Sequence, residues 1–148
     1  MRANKPWEVV GFYPGVVPEV VSGYPRDCNG AMIERLRNRR QFLRIASANR
    51  KWVTAGIVLQ AAPQPPDDRA AENGTRYGVT VSKRVGNAVD RNRARRRLRA
   101  VAEEILPHSA STGYDIVLIG RKETLRRNYL ALGEDLKTGL EKLGALRK

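Results

Sequence analysis

One cysteine and one histidine, Cys28 and His108, occur in 148 residues. A single cysteine excludes an internal disulfide and a cysteine-based zinc site, and fits a reducing cytoplasm. A single histidine leaves little material for imidazole catalysis or metal binding, and between Pro107 and Ser109 it reads as a loop residue. Long apolar runs are also missing, since no segment approaches the roughly 18 residues of a membrane helix. The longest early run, Val9 to Pro18, holds two prolines between Glu8 and Glu19 and makes a poor signal-peptide core. A soluble, cytoplasmic protein without a membrane partner is expected. Acids are scarce too: 15 Asp and Glu stand against 28 Lys and Arg, a formal net charge of +13. Such a field draws in polyanions and says little about the fold.

The chain is long enough for one domain with a real core, and 41% of it is hydrophobic. Its charge is unevenly placed. Residues 1 to 30 hold Arg2, Lys5 and Arg26 against Glu8, Glu19 and Asp27, so the whole +13 falls in the remainder. Four of the eight prolines also fall there. Residues 1–31 therefore read as a neutral, disordered extension, with 32–148 as the folded domain. Two alternatives stay open. Met32 could be the start, and Trp7, Phe12, Tyr13 and Tyr24 could form a docking patch.

Along the domain, Asn38 followed by Gln41 is a capping-box pattern that opens a short helix carrying Phe42 and Ile45. A strand is predicted from about Trp52 to Ala61, rich in Val, Ile and Trp. After a Pro- and Asp-rich loop, Tyr77, Val79 and Val81 alternate with Gly78, Thr80 and Ser82, a half-buried strand. An arginine-rich helix runs to about Leu106. The loop "PHSASTG" leads to "YDIVLIG", an apolar strand expected in the centre of its sheet. Leu125, Tyr129, Leu132, Leu136, Leu140 and Leu143 mark one long final helix. The order predicts a small α+β sandwich.

The arginine-rich helix carries the clearest functional signal. Asn87 is a good N-cap, and Asp90 falls in the first turn, where the helix dipole favours a carboxylate. Ala94, Leu98, Val101 and Ile105 form a narrow apolar stripe. Asn92, Arg95, Arg96 and Arg99 lie opposite, Arg93 and Arg97 extend that face, and Arg91 is at the seam. A solvated charged face is the ordinary reading of such a helix, but it needs acids at spacings of three or four to offset the bases. Here like charges repel at those spacings, as in Arg91/Arg95 and Arg95/Arg99. A polyanionic partner compensates that repulsion, and arginine's planar fork binds phosphate bidentately. Base reading in DNA wants polar side chains on the exposed face, and Asn92 alone is available.

The run "TVSKRVGNAVDRNRARRRLR" resembles the signature of the bacterial ribonuclease P protein component. That family carries an Arg-Asn-Arg core, here Arg91-Asn92-Arg93, behind a Ser-Lys-Lys/Arg-x-Gly-Asn-Ala-Val lead, here Ser82 to Val89. The resemblance covers about residues 34 to 143. It implies a sandwich of about four strands and three helices with a left-handed β-α-β crossover, like the second domain of ribosomal protein S5, against the usual right-handed rule. It also implies a complex with a catalytic RNA that removes the 5′ leader of precursor tRNA and requires Mg2+. By resemblance, Lys83, Arg84, Arg91, Asn92, Arg93, Arg95, Arg96 and Arg99 face that RNA. Phe42, Val58 and Gln60 line a cleft for the single-stranded leader. Two family aromatics are replaced, by Ala46 and Gln60, so stacking is weaker or comes from Trp52 or Tyr77. Phe42 could equally be core.

A nuclease site in the protein itself would need converging carboxylates or histidines. The acids are scattered over Asp67, Asp68, Glu103, Glu104 and Asp115, so the resemblance's division of labour fits: chemistry on the RNA, positioning on the protein. No obligatory protein partner is implied. The rival reading is a general or ribosomal RNA-binding protein.

Overall fold

A computed structural model describes residues 33–66 and 74–147. The expectations for residues 1–31 and for a start at Met32 lie outside the described residues. Strand β1 (Ile33–Arg35) leads to helix α1 (Arg39–Ser47), then to β2 (Lys51–Val53), β3 (Ile57–Pro63) and β4 (Thr75–Val81). A short 3-10 turn at Lys83–Val85 leads into helix α2 (Ala88–Ser109). Strand β5 (Tyr114–Gly120) and helices α3 (Lys122–Arg126) and α4 (Tyr129–Lys142) complete the chain. The sheet order is β1-β4-β5-β3-β2. Strands β1, β4 and β5 are mutually parallel, and β3 runs antiparallel to both β5 and β2. Helix α2 thus joins two adjacent parallel strands, and β5 is central, as its apolar run Ile116–Ile119 predicts.

The class is the expected α+β, with five strands and four helices where about four and three were expected. The stretch 52–61 is not one strand but a hairpin. Thr54 closes it, its amide donating to the Ile57 carbonyl at 2.9 Å and its hydroxyl to the same oxygen at 2.8 Å. Strand β1 has three residues, too few to show a period. Helix α2 passes Leu106 and ends at Ser109, so Pro107 and His108 are helical. Pro107 lacks an amide to donate, but that removes one bond in a last turn. The final helix is two. Asn128 breaks the run and caps α4, its side chain accepting from the Leu130 amide at 2.9 Å.

Alternation divides the sheet into two faces. On one, Ile57, Leu59, Tyr77, Val81, Ile116 and Leu118 pack against Ala94, Leu98, Val101 and Leu106 of α2 and Leu132, Leu136 and Leu140 of α4. Each fully buried leucine there contributes about 1.5–3 kcal/mol. On the other face α1 alone forms a smaller cluster, in which Leu36, Ile45, Ala62 and Val117 are buried and Phe42 and Ile119 partly so.

Apolar contact is thin under α1, and charge supplements it. Asp115 on β5 is fully buried. It accepts from Arg76 Nε at 2.7 Å and Nη2 at 2.8 Å on neighbouring β4. The Arg44 guanidinium of α1 joins the same carboxylate and also donates to the Pro63 carbonyl at 2.9 Å. One carboxylate thereby ties two strands and a helix together.

Removing Asp115 takes away the buried carboxylate that Arg76 and Arg44 share. Asp115→Ala is expected to lose roughly 3–5 kcal/mol of stability in urea unfolding. A loss below about 1 kcal/mol, the scale of an exposed pair, would show that the clasp does not hold α1.

Candidate nucleic-acid interface

Helix α2 starts as its sequence dictates. The Asn87 side chain accepts from the Asp90 amide at 2.9 Å. Gly86 has φ 155°, and a Cβ there would lie 2.5 Å from the Asp90 carboxylate, so the turn into the helix needs glycine. Ala94, Leu98 and Val101 are fully buried, while Ile105 is only partly so; Ala102 and Leu106 are also buried. With that stripe anchored, Asn92, Arg93, Arg96 and Arg99 are exposed, and Arg91 and Arg95 half-buried. Arg95 donates to the Asn92 side chain at 3.1 Å. The buried Arg91 Nε has no partner among the described residues. Lys83 and Arg84 extend the cationic surface from the 3-10 turn, which is anchored by buried Val85.

Arg97 departs from the expected face. Its guanidinium turns to the end of α3 and donates to the carbonyls of Thr124 at 2.8 Å, Leu125 at 2.7 Å and Arg127. Cations satisfy the orphan carbonyls of a helix C-terminus. Burial, and then the charge of Arg93, lower its pKa. Arg97 is a structural residue, and no spacing rule distinguishes it from its neighbours.

The second surface is the α1 face of the sheet. A Cβ at Gly78 would lie 2.5 Å from the Phe42 ring, so Phe42 rests directly on β4 there. It is a partly buried member of the small α1 cluster. Strand register places Gly78 beside Val117 and Val117 beside Gln60. The next row on that face is Thr80, Ile119, Val58 and Val53. Phe42, Val58 and Gln60 therefore share one face, all partly buried.

Neither proposed substitute aromatic joins them. Trp52 pairs with Leu59, whose side chain belongs to the α2 and α4 core, and Lys142 Nζ lies 5.8 Å from its ring centroid. Tyr77 is buried on that same side. Its hydroxyl donates to Glu103 at 2.6 Å and accepts from Arg35 Nε at 3.2 Å. Burial, and then Glu103, push its pKa well above the ordinary tyrosine range. The partly exposed rows of that face thus carry Val58, Ile119 and Gln60, with Phe42 as the aromatic beside them.

Three further carboxylates tie elements of the fold together. Glu103 also pairs with Arg35 at 2.7 Å, Glu104 accepts from the Tyr129 hydroxyl at 2.5 Å, and Asp135 receives Arg127 at 2.6 Å. Among the described residues no three His, Cys, Asp or Glu converge on a possible metal position, and no helix is long and apolar enough to cross a membrane.

The family model described as Ribonuclease P matches residues 32–144. The ribonuclease P protein component of Paramagnetospirillum magneticum is 52% identical over 118 residues, covering 80% of this chain and 88% of that protein. That of Gluconacetobacter diazotrophicus is 46% identical over 110 residues, covering 74% and 90%. Among solved structures, the Staphylococcus aureus RNase P protein superposes with a TM-score of 0.61 at 24% identity, covering 76% of this chain and 97% of that one. The Thermotoga maritima protein gives 0.57 at 28% identity, covering 71% and 93%.

The geometry separates the arginines by role. Arg93→Ala and Arg96→Ala are each expected to flatten the salt dependence of binding to the partner RNA by about 0.7–0.9 in log–log slope, the value of one phosphate contact. Arg97→Ala is expected to lower the melting temperature and leave that slope unchanged. The reverse pattern in a salt titration would contradict the assignment.

Proposed function

The chain belongs to the ribonuclease P protein family, and we propose that it serves its ribonucleoprotein by holding two RNAs on opposite faces of one sheet. As a ribonuclease P protein component it is part of an endoribonuclease complex with an RNA partner, in keeping with tRNA 5′ processing. The finer assignment is this. Lys83, Arg84, Arg91, Asn92, Arg93, Arg95, Arg96 and Arg99 dock the catalytic RNA. Phe42, Val58 and Gln60 receive the single-stranded leader of precursor tRNA. These roles fall to the domain at 32–148, working in the cytoplasm.

The observation that carries this reading is the display of Arg93, Arg96 and Arg99 on an anchored helix with no carboxylate paired to them among the described residues. Such a face gains more from a phosphate backbone than from solvent alone. The groove complements it. An aliphatic floor with one aromatic wall takes unstacked bases without reading their edges, as single-stranded recognition requires.

The described residues do not fit a protein-bound Mg2+. Hard cations want several free oxygens, and Asp115, Glu103 and Asp135 are committed to arginines. In this reading the Mg2+ on which the holoenzyme depends is held by RNA, which also carries the chemistry. The protein contributes by neutralising phosphates, so that less Mg2+ is needed, and by binding the leader, which positions the substrate.

Two measurements test the reading. Added to its catalytic RNA at limiting Mg2+, the protein is expected to raise cleavage of precursor tRNA at the leader junction. Equal binding to unrelated structured RNAs, without stimulation, would reduce it to a general RNA-binding protein. Phe42→Ala is expected to weaken precursor binding several-fold while leaving mature tRNA and catalytic-RNA binding intact. Equal losses for precursor and mature tRNA would make Phe42 core only.

A further inference from the structure

Trp52 belongs to neither of the two RNA surfaces described above. It sits in the middle of β2, the last strand of the sheet, and its register with Leu59 places it on the α2 and α4 side. Helix α4 crosses that side so closely that a Cβ at Gly139 would lie 2.7 Å from the Leu59 side chain. The helix therefore covers β3, while Trp52, one strand further out, stays 39% exposed. An indole left in water forgoes much of the burial that its large apolar surface offers.

Cations bracket the ring. Lys142, one turn after Gly139, holds its Nζ 5.8 Å from the ring centroid, at the outer limit of a cation–π contact. At that range the ammonium can move aside for a flat group at little cost. Arg50 approaches from the strand. Its carbonyl accepts from the Ala61 amide at 3.3 Å, which extends the ladder by one residue, so alternation sets Arg50 on the same side as Trp52. One arm of its guanidinium donates to the Leu143 carbonyl at the end of α4. The residue is exposed, and its fork has further N–H groups to offer. Neither Arg50 nor Lys142 has a carboxylate partner among the described residues. Asp135, which faces the hairpin, is taken by Arg127 and by the Gly56 amide at 3.2 Å. Glu141 is exposed and projects about 100° around the helix from Lys142.

We propose that Trp52, Arg50 and Lys142 form a third RNA contact, in which an unpaired base of the catalytic RNA stacks on the indole and the two cations hold its flanking phosphates. An aromatic ring between unpaired cations suits a single-stranded nucleotide, because stacking tolerates any base and the cations follow the backbone. A protein strand added to this edge would find only three residues of β2 to pair with. The catalytic RNA is the occupant because the site shares the α2 side of the sheet. Strand β2 lies three strand spacings, about 14 Å, from β4, on which α2 rests, so an RNA docked on α2 need only pass over α4. The leader is assigned to the opposite face. The inference rests on the docking of the catalytic RNA to α2 proposed above and adds residues outside the signature.

The test uses the full chain carrying Trp7→Phe, which leaves Trp52 as its one tryptophan. Trp52 fluorescence is followed as the catalytic RNA is added. Affinity for that RNA is measured for this chain and for its Trp52→Ala, Trp52→Phe, Lys142→Gln and Arg96→Ala derivatives. Emission is expected to be quenched over the RNA concentrations that saturate binding. Trp52→Ala is expected to lose roughly 5- to 150-fold in affinity, the worth of one stacked base, and Trp52→Phe to regain most of it. Lys142→Gln, on the exposed side of α4, leaves the fold intact and is expected to flatten the log–log salt slope by about 0.7. Unchanged emission at saturation, or unchanged affinity in Trp52→Ala, overturns the proposal if Arg96→Ala still weakens binding. A loss in Trp52→Ala with no change of slope in Lys142→Gln overturns it too, because Trp52 would then be packing alone. If Arg96→Ala binds as tightly as its parent, the docking of α2 fails first.

Discussion

A buried carboxylate fixes where α1 sits. Asp115 emerges from an otherwise apolar strand and takes Arg76 from the strand beside it and Arg44 from the helix above. The large core under α2 and α4 needs no such device, because leucines from both helices interlock with the sheet. Under α1 the buried apolar cluster among the described residues is Leu36, Ile45, Ala62 and Val117. Burying charge is costly, and a fully bonded ion cluster offsets that cost while admitting few alternative geometries. Because α1 is held at one end of its face, the row Thr80, Ile119, Val58 and Val53 at the other end stays partly exposed.

The arginine helix solves a different problem. Its apolar stripe supplies the anchoring, and its neighbours absorb one of its charges. Arg97 is diverted to the carbonyls that end α3. That contact fixes α3, and α3 in turn supports the hairpin, since Thr124 donates its hydroxyl to the Gly56 carbonyl at 2.6 Å. The cationic surface and the groove are thus mechanically linked through the sheet's far end. The remaining arginines keep a mutual repulsion that bound phosphates would relieve.

Much of this was legible in the sequence, for identifiable reasons. Asn87 with Asp90, and Asn38 with Gln41, encode helix starts through side-chain chemistry local to a few residues. Both caps form, and the Asn38 amide donates to Gln41 at 3.1 Å. The Ala94–Leu98–Val101 stripe follows from the helical period alone. What could not be read depends on partners distant in sequence. A single strand over 52–61 would put Trp52 on the same face as Val58 and Gln60, since all are even-numbered. The hairpin at Thr54 pairs Trp52 with Leu59 and reverses its side. The turn is Thr-Ala-Gly, without an Asn-Gly or Asp-Gly signal, so the flip was invisible. Asp115 looked like one scattered acid because its arginines lie 39 and 71 residues away. Arg97 looked like its neighbours because its carbonyl partners lie on another helix.

In the proposed function, two RNAs occupy opposite faces of one sheet. Photo-crosslinking tests it most directly, with thiouridine placed in the precursor leader, in reconstituted holoenzyme, and the attached peptides identified. The account predicts attachment on the α1 face, at or beside Phe42, Val58 and Ile119, with none on the exposed face of α2. Leader crosslinks concentrated at Arg93, Arg96 or Arg99 would contradict it, because the leader would then share the surface assigned to the catalytic RNA.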